Sequence, residues 1–165
     1  MSVSTSPILN PVIRTETDAD VAAVEALVLA AFGPGRFAKT AERLREGADQ
    51  VAGFVAHSEG LLMGSVRLWS IAIDQTPAVF LGPIAVEASW RKSGVGADLV
   101  QTCIDHSRNA GLAGILLIGD PPYFERFGFL QTKPIAIAGP VDPSRLLWLD
   151  LSGQPVAGLA IPLRV

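Results

Sequence analysis

At 165 residues, 49% hydrophobic and 18% charged, the chain can bury one sizeable core, which excludes intrinsic disorder and leaves little room for a second domain. A formal charge of −3, with Arg91-Lys92 as the longest basic cluster, excludes electrostatic tracking of nucleic acid, so no nucleic-acid partner is expected. Cys103 is the only cysteine and His57 and His106 lack ligand-spaced companions, which excludes an internal disulfide and disfavours a metal site; without about 18 uninterrupted apolar residues no helical membrane span is expected either, and the expected location is the cytoplasm.

The first predicted element is a short strand from Pro11 to Thr15. Thr17-Asp18-Ala19-Asp20 then resembles a capping box, and Val21, Val24, Val28 and Phe32 recur at helical spacing until Gly33-Pro34-Gly35 ends the run. Residues 37–47 predict a second short helix with Arg43, Arg45 and Glu46 solvated. From Val51 the period shortens: VAGFVAH, LLMGSVRLWSIAI and AVFLGPIAV are β-rich runs separated by turn residues, a three-strand antiparallel meander.

A helix follows, with Val95, Leu99, Cys103 and Ile104 inward and Asp98, Gln101, Asp105 and Arg108 outward, ending at Gly111. Leu112 to Ile118 is a continuous apolar run suited to a strand covered on both faces. Pro121 to Arg126 fits one helical turn. Strands are then expected at Phe129–Ala138, Arg145–Leu151 and Ala157–Leu163.

The stretch with most chemistry is Leu81 to Gly96, LGPIAVEASWRKSGVG, where an apolar run breaks into a basic, glycine-spaced turn opening a helix. Glycines let backbone approach an anion, and the first N–H groups and positive dipole end of the helix face it. Alone, Arg91-x-x-Gly94-x-Gly96 reads equally well as a capped helix start. A dinucleotide fingerprint is disfavoured, because Leu99 stands where the third glycine would be. Side chains at Gly94 and Gly96 would take the place of a phosphate. Gly82-Pro83 is expected to break strand pairing just before this turn, because proline donates no ladder bond.

With Leu112–Ile118 after the helix and Tyr123-Phe124-Glu125-Arg126-Phe127-Gly128-Phe129 beyond it, these features resemble the GNAT N-acetyltransferase superfamily, in particular its YhbS-type members. The resemblance implies an α+β GNAT acyl-CoA N-acyltransferase fold: a mixed, mostly antiparallel central sheet with helices on both faces and a splayed strand pair. It implies one domain over residues 1–165, with the cofactor core near 81–129. It also implies acetyl-CoA as acyl donor, its pantetheine arm beside the backbone of Ile84, Ala85 and Val86. The pyrophosphate would meet Arg91, Lys92, Ser93, Gly94, Val95 and Gly96, chiefly through backbone amides. The implied reaction is direct attack of a primary amine on the thioester, with a backbone N–H near Val86 polarising the carbonyl. A non-catalytic acyl-CoA-binding or sensing module is the alternative.

In the superfamily a tyrosine four residues before the Gly-Phe pair is the general acid, but that position is Phe124 here. Tyr123 is therefore the candidate acid for the departing thiolate. No carboxylate lies between Ala78 and Val86, which leaves Glu87, Asp120, Asp74 and His57 as loose candidates for the base, each more simply a surface or turn residue. Cys103 on the apolar stripe reads as an inert core thiol. Trp69, Trp90 and Trp148 are expected to pack, with Trp69 closest to an acceptor cleft. Arg36 and Phe37 lie where acceptor specificity varies in the superfamily. Leu146, Leu147, Trp148 and Leu149 suit either core or the interface of a possible homodimer.

Overall fold

A computed structural model describes residues 11–32 and 39–165, so Gly33-Pro34-Gly35, Arg36 and Phe37 lie outside the described residues. The chain forms β1 (Val12–Thr15), α1 (Val21–Phe32), α2 (Lys39–Gly47), β2 (Gln50–Ser58), β3 (Leu61–Ile73) and β4 (Thr76–Val86). It continues through α3 (Val95–Asn109), β5 (Gly114–Ile118), α4 (Pro121–Phe124), β6 (Leu130–Gln131), β7 (Ile135–Ile137), β8 (Leu146–Asp150) and β9 (Gly158–Pro162). At the start of α1 the Asp20 carboxylate accepts the Thr17 N–H at 2.8 Å and a bidentate pair from Arg14 at 2.7 and 2.8 Å. These contacts hold its pKa well below the usual carboxylate range, the Arg14 hydrogen bonds most of all.

The expected meander is present: β2, β3 and β4 pair antiparallel, and Glu59 and Gly60, at φ 51° and 78°, close the first hairpin. Among the described residues nine strands form one mixed sheet, ordered β1-β2-β3-β4-β5-β8-β6, with β9 alongside the end of β3 and β7 beside β9. On one face α3 buries Val95, Leu99, Val100, Cys103 and Ile104 against Met63, Leu68, Leu117 and Phe129. On the other, Ala41 and Leu44 of α2 pack with Ile71, Phe80 and Leu116. The period of 3.6 in α3 makes this possible, since the buried positions form one stripe.

Two expectations change and one open alternative is narrowed. The predicted strand Phe129–Ala138 is two short strands: β6 pairs with β8, then the chain turns at Pro134, which has no N–H for a ladder, and β7 pairs parallel with β9. Leu146, Leu147 and Leu149 are buried, because β8 lies between β5 and β6, so they serve the core. Arg45 is half-buried rather than solvated, because α2 turns it toward the sheet.

Strands β4 and β5 pair, in parallel, only at Val79 with Ile115 and Phe80 with Leu116. Beyond that point β4 continues to Val86 without β5. The register between β3 and β4 also shifts between Val66 and Leu68, opposite Gly82-Pro83, where Gly82 adopts φ 142°. The Trp69 indole N–H donates to the Gly82 carbonyl and holds the break from the β3 side. The strand pair therefore opens into a gap.

Candidate functional site

The β4 backbone decides which groups face the gap. The Glu87 N–H donates to the Met63 carbonyl at 2.8 Å, so Glu87 and, two residues earlier, Ala85 turn their backbone polar groups to β3. Ile84 and Val86, between them in parity, turn theirs toward the gap. Of the three residues grouped from the sequence, Ala85 is thus committed to the sheet by its backbone. The Val86 carbonyl also faces the Arg91 side chain, whose Nε lies 3.4 Å away.

The basic turn is built from local bonds. The Glu87 carboxylate caps a short 3-10 turn by accepting the Ser89 N–H at 2.8 Å, and the Trp90 carbonyl accepts the Ser93 N–H at 3.0 Å. Trp90 itself is half-buried against the α3-side core. Gly94 then takes φ 90°, ψ 0°, a left-handed conformation that admits glycine readily, and the helix starts at Val95. Arg91, Lys92, Ser93 and Gly94 are exposed, and a Cβ placed on Gly94 would meet no atom within 4 Å. The turn is an open cradle of backbone at the positive end of a 15-residue helix.

Opposite the cradle, α4 divides its two aromatic residues. The Asp120 carbonyl accepts the N–H groups of Tyr123 and Phe124, both at 3.1 Å, and Pro121 at the first turn needs no acceptor. Phe124 is buried against Gly119 and Phe129. Tyr123 meets the Phe124 ring edge-on but carries its hydroxyl to 2.9 Å from where a Gly96 Cβ would stand, a point that lies 3.5 Å from Val86 Cγ2. The Arg126 guanidinium covers the Tyr123 ring at 4.2 Å from its centroid, and its Nε donates to the Tyr123 carbonyl at 3.2 Å. Tyr123, Val86 and Gly96 therefore meet at one place.

On the sheet face occupied by α1 and α2, a cleft of about 460 Å³ reaches the strand break at Pro83. Its walls include Glu25, Glu42, Arg45, Glu46, Arg67 and Trp69. Arg67 is committed to Glu16 through a fork with bonds of 3.0 and 2.7 Å. The carboxylates lining the cleft with Pro83 are Glu25, Glu42 and Glu46; from the sequence Glu46 was expected only to be solvated, and Glu25 and Glu42 were not singled out. Only the spacing of Glu42 and Glu46, four apart on one helix, hinted at a shared face. Glu87 caps a turn, Asp74 packs against Gly158, and His57 lies 3.1 Å from Arg14 and 3.7 Å from Asp20; with Asp120, none of these lines the cleft.

Cys103 is fully buried, and burial pushes its thiol well above the usual range. The native protein is expected to resist an aromatic disulfide reagent at neutral pH, with labelling only at the rate of unfolding. Rapid stoichiometric labelling of the folded protein would show that the α3 stripe is misplaced.

An open sheet with a splayed parallel pair, a glycine cradle at a helix start and a cleft at the strand break define an acyltransferase-like site. The Acetyltransferase (GNAT) family profile matches residues 21–129, and the chain belongs to that family. It is 31% identical over 120 residues to the uncharacterized N-acetyltransferase YhbS of Escherichia coli strain K12, covering 71% of this chain and 72% of that protein. The crystal structure of Escherichia coli YhbS in complex with CoA superimposes with a TM-score of 0.82 at 27% identity, covering 96% of this chain and 93% of that one. A GNAT family acetyltransferase from Brucella melitensis, solved with acetyl-CoA, shares the fold with a TM-score of 0.73 at 23% identity, over 93% of this chain and 96% of that one.

Proposed function

We propose that residues 1–165 act as one N-acetyltransferase unit that takes acetyl-CoA as donor and transfers the acetyl group to a primary amine by direct attack. The observation that carries this reading is the gap between β4 and β5, which runs from the acidic cleft at Pro83 to the open cradle at Gly94. CoA or acetyl-CoA bound to the YhbS and Brucella proteins supports the choice of donor. The pantetheine arm adds to the free edge of β4 at Ile84 and Val86, and the pyrophosphate lies on the amides from Lys92 to Gly96, with Arg91 and Lys92 beside it.

The cleft meets β4 at Pro83, so the gap-facing N–H nearest the transferred carbonyl belongs to Ile84, about 7 Å along the strand from Val86 at roughly 3.3 Å per residue. That N–H polarises the carbonyl as the neutral amine attacks. The new C–N bond forms, the tetrahedral oxyanion collapses, and the C–S bond breaks. The departing sulfur takes a proton from Tyr123, and the nitrogen loses one to a cleft carboxylate or water.

Acetyl-CoA at about 100 times its Kd should raise the melting temperature by roughly 5 °C or more, while nucleotides lacking pantetheine should not. Thiol release with a panel of primary amines then tests transfer. Cofactor-dependent stabilisation without acceptor-dependent CoA release would replace the enzyme by an acyl-CoA-binding module.

A further inference from the structure

We propose that Arg45 selects the acceptor: a compact primary amine bearing a carboxylate, an amino-acid-like substrate whose carboxylate docks on this guanidinium while its nitrogen reaches the strand break. The inference rests on the acetyltransferase reading above and extends it to a substrate class.

Arg45 differs from the other arginine of the cleft. Arg67 gives its fork to Glu16, whereas among the described residues Arg45 makes no ion pair within 4.0 Å. The sequence carries no acidic residue at positions 1–10 or 33–38. Glu42 and Glu46 flank Arg45 on α2 without closing a contact, and burial weakens the hold of its guanidinium on the proton. A half-buried guanidinium held only by the more distant charges of Glu42 and Glu46, with no carboxylate in contact, gains from a ligand that closes the contact.

Its location gives the ligand a shape. Arg45 Nη1 lies 3.8 Å from where a Gly82 Cβ would stand, and both Arg45 and Pro83 line the cleft. Ile84, whose N–H marks the transfer point, is two residues from Gly82, at most roughly 7 Å of chain. An anion on Arg45 and an amine at Ile84 are therefore separated by only a few bonds of substrate. A planar fork matches a carboxylate bidentately.

The carboxylates of Glu25, Glu42 and Glu46 in the same cleft set the charge that is tolerated. They repel a doubly charged phosphate more than a singly charged carboxylate, and they attract the ammonium form of the acceptor before it loses its proton. A polyamine would suit these three residues but would bring a cation to Arg45. The arrangement thus favours a zwitterion over either a phosphate ester or a polyamine.

The test compares matched acceptors with saturating acetyl-CoA: β-alanine against ethylamine, γ-aminobutyrate against propylamine, and L-methionine against 3-methylthiopropylamine. In at least one pair the carboxylate-bearing member should have the higher kcat/KM, by about 30-fold, the size expected of one charge-assisted contact. In Arg45→Met that ratio should fall to about threefold or less, through acceptor KM rather than kcat, with Arg45→Lys intermediate because it keeps the charge without the fork. A preference for the plain amines in every pair, or an unchanged ratio in Arg45→Met, would overturn the proposal.

Failure of the enzyme reading looks different, since no amine would then release CoA. Calorimetric titration of the same acids into the CoA-bound protein still decides the matter in that event. Binding that weakens about 30-fold in Arg45→Met supports the site, and binding that is absent or insensitive to position 45 removes it.

Discussion

Valine at Gly96 is expected to weaken acetyl-CoA binding by about 10²-fold or more, measured by calorimetry, while far-UV circular dichroism keeps its native form. A Cβ at this position would stand 2.9 Å from the Tyr123 hydroxyl and 3.5 Å from Val86 Cγ2, and the γ-methyl groups of valine need still more room. The phenol must move, and the side chain then covers the amides at the helix start. Gly94 depends on glycine for another reason: its Cβ would meet nothing, but φ 90° costs an L-residue about 1–2 kcal/mol, so in Gly94→Ala the free turn relaxes and restoring it on binding should weaken affinity by up to about tenfold. A double-mutant cycle separates tyrosine from ligand as the obstacle. If the Gly96 side chain collides with the hydroxyl, Gly96→Ala should cost several-fold less in a Tyr123→Phe background. Equal costs in both backgrounds would mean that the methyl group obstructs the cofactor directly.

This division of labour between the glycines was not legible in the sequence, where both were read as making room for phosphate. Spacing shows that a position must be small, but not what presses on it, and Tyr123 arrives from 27 residues further along the chain. The meander was legible as β-rich apolar runs cut by turn residues, and α3 by its single period of 3.6. The break at Gly82-Pro83 was legible because proline and glycine weaken a ladder in any context. The split of Phe129–Ala138 was missed because Phe129-Leu130 and Ile135–Ala138 were joined into one strand across the polar Gln131-Thr132-Lys133 and Pro134.

The acceptor cleft was the least legible part. Arg45 and Glu46 sit on a short, highly charged helix, and a one-dimensional reading assigns such residues to solvent. Only the packing of Ala41 and Leu44 on the second face of the sheet turns α2 so that Arg45 and Glu42 line a cavity with Trp69 and Pro83. Glu25 joins them from α1, whose stripe of valines predicted its buried face and left the other side unassigned. Site residues drawn from separate elements carry no common spacing, so tertiary packing alone brings them together.

Tyr123→Phe is expected to lower kcat by about 10²-fold while KM for acetyl-CoA changes less than about threefold, in line with the lower end of general-acid contributions. The case rests on how α4 shares its aromatic residues. Phe124, at the position where the superfamily pattern has tyrosine, is 7% exposed and wedged against Gly119 and Phe129, so a hydroxyl there would enter core. Tyr123, one residue earlier, is rotated by about 100° around the helical turn and faces Val86 and the start of α3 instead. Arg126 clamps its ring and carbonyl, which makes the direction of the phenol a property of the α4 turn. The hydroxyl nevertheless stands beside Val86, while the carbonyl is expected at Ile84, so two roles must be told apart. A proton donor to sulfur would show its loss in kcat, with poor leaving-group thiols affected most. A hydroxyl that only binds the pantetheine or pyrophosphate would show its loss in the Kd and KM of acetyl-CoA, with kcat intact. The latter pattern would leave protonation of the thiolate to water, a tolerable route because a thiol of pKa near 8.5 is already a fair leaving group at neutral pH.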